Sequence, residues 1–320
     1  MPIPTLDRRV TGLPQRTLWE PSYLRLERAG ELAERARILN AMYRNCRLCP
    51  RLCGANRLDG QRGVCLSTSK LKVFAAHPHF GEERPLTGRF GSGTIFFGRC
   101  SLRCVYCQNW EIAHSSGGAI VTPEALAQMM IGLQERGCHN INLVTPTHFV
   151  PGIVQALRVA IKLGLRIPLV YNTGGYDLVN VLKLLEGVID IYLPDFKYAS
   201  NEAARKYSPG AKDYPEVAMA AIEEMHRQVG DLVMDAHGIA RRGLMIRHLV
   251  LPDNLAGTDK FVEFVARRLG RSTYVNIMPQ YRPAFNAGRF PELARPITHE
   301  EYENAITLAR KAGLRCAVAG

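Results

Sequence analysis

No uninterrupted apolar stretch in this chain of 320 residues approaches the length needed to cross a bilayer. Its first residues, Met1-Pro2-Ile3-Pro4-Thr5, carry neither an apolar core nor a small-residue cleavage site. No secretory leader is therefore expected, and the cytoplasm, away from membranes, is the expected location. Acidic residues are in short supply: 29 Asp and Glu stand against 41 Lys and Arg, a formal net charge of +12. Such a surplus favours an acidic partner or an anionic substrate. The basic residues are scattered, however, and no standard nucleic-acid module accompanies them, so a basic surface is the plainer reading and nucleic acid is not the expected partner. Hydrophobic residues at 47% and charged residues at 22% are ordinary for a folded protein. The length suits one large domain, or a large domain with a small companion.

Cysteine is abundant and clustered. Nine are present, seven of them from Cys46 to Cys107, with only Cys138 and Cys316 apart. An odd, clustered set with C-x2-C steps reads as metal ligands rather than disulfides. One group is Cys46, Cys49 and Cys53, followed by Gly54, Gly60 and Gly63 and then Cys65, a C-x2-C-x3-C-x11-C spacing. Four thiolates separated by turn formers suit a closed site, either structural zinc or an auxiliary iron–sulfur cluster, since both accept four sulfurs. The other group is Cys100, Cys104 and Cys107, in the run Gly98-Arg99-Cys100-Ser101-Leu102-Arg103-Cys104-Val105-Tyr106-Cys107-Gln108-Asn109. A [4Fe–4S] cube normally takes four thiolates. Three from one loop would leave one iron open to a substrate or cofactor, and that suits chemistry at iron beyond electron storage.

The chain divides near residue 90, into a helical and cysteine-rich region (1–90) and an α/β region (91–320). Residues 23–43 read as one helix, with Leu26, Leu32, Ala36, Leu39 and Met42 at helical spacing. The polar run His77-Pro78-His79-Phe80-Gly81-Glu82-Glu83 reads as a connector. Beyond it strands and helices alternate. Strands are expected at 94–97, 141–144, 167–171, 188–193 and 274–278, and another at 314–318. Helices are expected after the N-cap Thr122 and at 152–163, 178–185, 217–229, 261–269 and 302–311. Segments 232–234 and 244–251 flank Gly238 and Gly243 and suggest a local hairpin before a fifth barrel strand. Near-continuous apolar strands between helices indicate a parallel sheet covered on both faces. Six repeats suit a partial (β/α)6 TIM-like barrel beside the small cysteine-rich N-terminal region, although a doubly wound sheet fits the same alternation.

In either fold, reactive groups gather where strands meet the loops that follow them. The three-cysteine loop follows the first strand. Later strands lead into Thr145-Pro146-Thr147-His148, Asn172-Thr173-Gly174-Gly175, Pro194-Asp195-Phe196-Lys197-Tyr198 and Met278-Pro279-Gln280-Tyr281. Polar, glycine-rich and charged groups thus converge on one rim.

Cys100-x3-Cys104-x2-Cys107, with Tyr106 before the last cysteine, resembles the signature of the radical S-adenosylmethionine superfamily. Gly93-Thr94-Ile95-Phe96-Phe97 and Cys107-Gln108-Asn109 resemble its pyruvate formate-lyase activating enzyme-like branch. The upstream quartet with Arg247-His248-Leu249-Val250-Leu251-Pro252 is similar to the AMMECR1/Memo-associated radical SAM proteins. The resemblance spans residues 46–280. It implies that Cys100, Cys104 and Cys107 ligate three irons, that S-adenosylmethionine chelates the fourth, and that Tyr106 lies beside the adenine. Thr145 to Thr147 stand where relatives carry Gly-Gly-Glu, so the glutamate's contact would pass to hydroxyls, a carbonyl or His148. Asn172 would serve ribose or methionyl contacts. Asp195 and Lys197 resemble an Asp-x-Lys pair of the activating enzymes. Arg247 would meet the cofactor carboxylate with two hydrogen bonds, or else form a structural ion pair. Gly174 and Gly175 would allow close backbone approach, with Met278 and Tyr281 on the substrate side.

The implied activity is reductive cleavage of S-adenosylmethionine to a 5′-deoxyadenosyl radical and hydrogen abstraction from a small molecule, peptide or protein. An electron donor such as flavodoxin or ferredoxin would supply the electron. Activation of a glycyl radical enzyme is the first alternative, weakened because the extra cysteines precede the radical motif, whereas relatives with ferredoxin-like clusters carry them after it. A non-catalytic iron–sulfur carrier or scaffold is the second. A zinc-containing RNA-binding protein would leave Cys100 to Cys107 unexplained.

Overall fold

The computed structural model describes residues 19–314 and 316–318; the five-residue start read above for a leader lies outside them. The strands are β1 (Leu71–His79), β2 (Ser92–Phe97), β3 (Ala119–Val121), β4 (Ile141–Val144), β5 (Leu169–Thr173), β6 (Ile191–Pro194), β7 (Val233–Met234), β8 (Ala240–Leu249), β9 (Tyr274–Met278) and β10 (Cys316–Val318). The helices are α1 (Ser22–Arg28), α2 (Glu31–Ala41), α3 (Arg84–Thr87), α4 (Trp110–Ala113), α5 (Pro123–Glu135), α6 (Val150–Lys162), α7 (Val179–Leu184), α8 (Asn201–Tyr207), α9 (Tyr214–Val229), α10 (Thr258–Phe264) and α11 (His299–Lys311).

One sheet runs in the order β10-β9-β8-β6-β5-β4-β2-β1-β3. From β2 to β10 neighbours are parallel, whereas β1 pairs antiparallel with β2 and β3, and β7 pairs antiparallel with β8. This is an α/β fold with a mixed sheet, in the form of a partial barrel. The parallel strands are almost wholly buried, as their apolar runs require when helices cover the outer face. Side chains alternate along each strand. Phe96, Val144, Asn172, Asp195, Arg247 and Asn276 therefore share the inner face, all lining one cavity. Below that layer Val170, Ile191, Leu193 and Met245 close around Leu86 of α3.

Several elements match the sequence reading closely. Thr122 caps α5, its hydroxyl accepting from Ala125 N at 3.2 Å, with Pro123 in the first turn. Strands β4 and β9 have the expected limits. Three expectations need correction. The helix over 23–43 is two helices, because Gly30 takes φ +75, a left-handed conformation that breaks the ladder between α1 and α2. The connector expected at 77–83 is partly strand: His77 to His79 end β1, paired with Thr94 to Ser92 of β2. Polar composition hid this because β1 leaves Phe74 and His77 exposed and its register shifts between Val73 and Ala75, so the segment shows no regular alternation. Third, the hairpin near Gly238 does not precede the fifth barrel strand. Its second strand, β8, is that strand, bent at Gly243 with φ +126.

Candidate active site

The loop after β2 turns sharply, with Arg99 and Arg103 at positive φ (76° and 58°), so Cys100, Cys104 and Cys107 all face one cavity of about 810 Å³. Leu102 N donates to Cys100 Sγ at 3.4 Å and Ser208 Oγ to Cys104 Sγ at 3.1 Å. Such donors stabilise sulfur that carries negative charge. Burial, reinforced by the neighbouring cysteines, pushes the Cys107 thiol up to about 12, and burial likewise raises Cys100. Thiols raised in this way stay ionised only beside strong positive charge, which bound iron would supply. Among the described residues no group of three or more His, Cys, Asp or Glu side chains closes around a single ion. A cube distributes its thiolates over four irons. The donor set, shared cavity and sulfur-directed donors fit such a cluster.

The same cavity is lined by Tyr106, Thr145, Asn172, Gly174, Asp195, Lys197, Arg247 and Met278. Tyr106 is edge-on to Tyr198 and Tyr281, with centroids 6.1 and 5.9 Å away. Thr145 has φ +59, and its N–H donates to Asn172 O at 2.8 Å, tying two strand ends together. Lys197 Nζ sits 2.8 Å from Asp195 Oδ2. Despite burial, Asp195 and the nearby cysteine and tyrosines hold Lys197 well above its usual range, so it remains a cation. Gly175 has φ +77, and a Cβ there would strike Asp195 O.

Four of the residues expected together stand differently. Thr147 is turned away from the cavity, because it begins a 3-10 turn and its hydroxyl helps satisfy buried Asp177. Thr147 Oγ1 donates to Asp177 Oδ1 at 2.8 Å, alongside Thr173 Oγ1 at 2.6 Å and Tyr171 OH at 3.0 Å. Arg247 lines the cavity, yet its Nε–Nη2 edge is occupied. Nε and Nη2 donate to the two oxygens of Glu83 at 2.7 Å each, and Nη2 also meets Glu82. The edge a guanidinium would offer to a cofactor carboxylate is already taken by protein. Tyr281 is also directed elsewhere, donating to Leu293 O at 2.7 Å. His148 is buried outside the cavity, where it donates from Nε2 to Gly98 O at 3.1 Å; burial holds it down to about 3 and therefore neutral.

The upstream quartet lies behind the three-cysteine loop. Cys46, Cys49 and Cys65 are buried and Cys53 is half-buried. Burial pushes Cys49 up to about 12, with the other three cysteines close enough to add repulsion. Arg51, between Cys49 and Cys53, donates to Ser101 O at 2.8 Å, Leu102 O at 2.9 Å and Pro209 O at 2.8 Å. Arg57 is wholly buried, donates to Thr68 O and to His148 O at 2.7 Å, and lies over the Tyr43 ring. Arg51 thus braces carbonyls of the three-cysteine loop, whereas Arg57 ties the quartet to the segments that carry Thr68 and His148. Sequence reading missed both arginines, together with Glu82, Glu83, Asn276, Arg103 and His114 of the cavity. Arginines inside a cysteine-rich loop were the available signal for the first two. No local signal pairs Glu83 with a strand 164 residues onward.

The fold, the three thiols on one loop and the polar strand ends around their cavity define an enzyme built on a partial barrel, with its reactive groups gathered where the strands end. The sequence profile of the radical SAM superfamily matches residues 94–239, and the chain belongs to that superfamily. Radical SAM enzymes reductively cleave S-adenosylmethionine to a 5′-deoxyadenosyl radical that takes hydrogen from a substrate, and this is the chemistry of this protein. Two uncharacterised proteins of Methanocaldococcus jannaschii are similar along most of its length. One is 32% identical over 287 residues, covering 87% of this chain and 78% of its own. The other is 24% identical, with 84% and 79% covered. Among solved structures, a radical SAM methyltransferase from Sphaerobacter thermophilus shares the fold at 13% identity, with a TM-score of 0.51 over 92% of this chain and 91% of that one. Among the described residues no helix is long and apolar enough to cross a membrane.

Proposed function

We propose that Cys100, Cys104 and Cys107 hold a [4Fe–4S] cube whose open iron binds S-adenosylmethionine, and that the hydrogen donor is a small molecule or peptide received by the same cavity. The observation that carries this is the convergence of the three thiols with Tyr106, Thr145, Asn172, Asp195 and Lys197 on one cavity. Tyr106 would flank the adenine, Asn172 and the Thr145 backbone the ribose or methionyl group, and Lys197 a carboxylate. Arg247 would act through Glu82 and Glu83 rather than on the cofactor. Thr147 would support β5 from behind.

The reading extends to the rest of the chain. Residues 1–90 form the cysteine-rich region and 91–320 the (β/α)6 barrel with its extension. Cys46, Cys49, Cys53 and Cys65 hold a second iron–sulfur cluster or zinc. A small electron-transfer protein, flavodoxin or ferredoxin in kind, reduces the enzyme in the cytoplasm. The similarity to the AMMECR1/Memo-associated group belongs to this proposal, as does the pyruvate formate-lyase activating type of site. Activation of a glycyl radical partner has less support, because the second cysteine group precedes the radical loop.

The test uses protein reconstituted without oxygen, reduced with dithionite and given S-adenosylmethionine, with 5′-deoxyadenosine and methionine quantified. Both should form in the wild type and fall to background in Cys104→Ser. Equal turnover in the two would refute the assignment. Iron and labile sulfide beyond one cube per chain would identify a second cluster, and stoichiometric zinc a structural site.

A further inference from the structure

The cavity has a floor that the proposed cofactor chemistry leaves unused. The chain leaves β1 at His79, passes Phe80 and Gly81, and carries Glu82 and Glu83 to the inner face of β8 and β9 before α3 begins. Side-chain exposure falls to 7% at Glu82 and 3% at Glu83. Arg247 bridges both carboxylates, and Asn276 Nδ2 donates to Glu83 Oε1 at 2.8 Å. Arg247 and the Asn276 amide hold the Glu83 carboxyl below its usual range despite burial. The floor therefore contains two carboxylates against one guanidinium. Two like charges this buried beside a single cation are costly unless another positive group completes them.

The hydrogen-bond inventory agrees with the charge count. A carboxylate only accepts, so the contact with Glu83 fixes the Asn276 amide with Nδ2 toward it. That leaves Asn276 Oδ1 buried with no partner, on a residue 8% exposed that lines the cavity. Glu82 Oε1 also accepts from no described residue. Two acceptors thus remain open, one neutral and one charged. The available donor, Arg247 Nη1, carries charge that Glu82 and Glu83 already outnumber. Phe96 and Tyr274 add aromatic walls to the same region, which suit a cation. The next residue, Arg84, is exposed at the edge of the cavity and forms no ion pair with a described residue.

We propose that this floor binds a cationic nitrogen of the substrate, an ammonium or guanidinium, through Glu82 and Asn276 Oδ1. The substrate of the proposed radical reaction is then an amine- or guanidine-bearing molecule, its cationic end held at this floor. The floor is opposite in sign to the chain as a whole, whose net charge is +12. This inference rests on the cavity being the substrate site, while its test does not depend on turnover.

The reconstituted protein is titrated anaerobically with n-butylammonium and with agmatine, and in parallel with butyrate and 1-butanol, by saturation-transfer NMR. Both cations should bind and compete with each other, with butyrate and butanol at least 10-fold weaker, by about the factor one charge-assisted contact supplies. Glu82→Gln should weaken cation binding about 10-fold, and Glu82→Asp should restore most of it. Thr298→Ala, on the outside of the barrel edge, should leave it unchanged. Thermal midpoints identify any variant that has lost its fold, and Asn276→Asp provides a second arm: its added charge should strengthen cation binding. Butyrate binding as well as the cations, or cation affinity indifferent to both Glu82→Gln and Asn276→Asp, would overturn the proposal. Cation binding that persists in Cys104→Ser while 5′-deoxyadenosine never forms in the wild type would remove the radical reading and leave the floor standing. Cofactor cleavage without cation binding would do the reverse.

Discussion

At the residue scale, the site depends on groups that are ionised only because of their neighbours. Burial raises the Cys100 and Cys107 thiols, and Lys197 remains charged beside Asp195. Cys104 also accepts from Ser208, which places it at the join between the radical loop and the segment after α8. Cys104→Ser is expected to lose S-adenosylmethionine cleavage, by at least 100-fold if a two-thiolate cluster is retained at all, while circular dichroism remains that of the folded protein. Lys197→Met removes a half-buried cation on the cavity wall and takes from Asp195 its ion-pair partner. Its thermal midpoint is expected to fall, consistent with a loss of about 1 kcal/mol, and Asp195→Asn in the same background should recover part of it. Failure of that double variant to recover stability would show that Lys197 and Asp195 are not energetically coupled.

At the element scale, the cysteine-rich loop and the radical loop are held as one piece by Arg51. Its guanidinium satisfies carbonyls of Ser101, Leu102 and Pro209. Arg51→Ala should cost about 2 to 3 kcal/mol, measured by urea unfolding, since three carbonyls lose charged donors. Limited proteolysis should then cut near residues 99–103 first. Helix α11 shows a separable local effect. Thr298 and Glu301 form a reciprocal capping box, with Glu301 N donating to Thr298 Oγ1 at 3.1 Å and Thr298 N to Glu301 Oε2 at 2.7 Å. Thr298→Ala should lower stability by about 1 kcal/mol without changing cofactor cleavage, because α11 lies on the outside of the barrel edge.

At the scale of the whole molecule, buried histidines couple the fold to pH. His248 is wholly buried between Phe196 O, to which Nδ1 donates at 2.8 Å, and Thr258 Oγ1, 2.9 Å from Nε2. Burial holds it down to about 4, and His148 to about 3. The unfolded chain takes protons on these rings near pH 6.5, whereas the folded chain refuses them until about pH 4 or below. Stability from the neutral rings is therefore complete above about pH 6.5 and is lost as pH falls toward 4. For His248 the loss is on the order of 3 kcal/mol. Asp190 acts oppositely: burial raises it to about 6, so its contribution declines as pH rises through that value. Urea midpoints measured from pH 7 to pH 4.5 should fall in the wild type. They should fall less steeply in His248→Gln, although that variant starts lower. Parallel slopes would exclude His248 as a source of the pH dependence.

The amino-acid sequence by itself determined what depends on near neighbours: the strand and helix alternation, the cap at Thr122, and the three cysteines on one loop. Spacing along a chain is spacing in space over so few residues, and a buried parallel strand is apolar throughout. Gly30 carried its signal too, but one glycine inside a helical pattern does not announce a left-handed turn until the packing of α1 and α2 demands it. Only the tertiary structure decided which strand-end residues reach the cavity. Thr145 does and Thr147 does not, although they are two positions apart, because Asp177 draws the Thr147 hydroxyl away. The tertiary structure also decided the partners of Arg247. Glu82 and Glu83 lie in a run that reads as a polar connector. They meet Arg247 only because the sheet curves β8 and β9 toward the chain leaving β1, a contact across more than half the sequence that local spacing cannot encode.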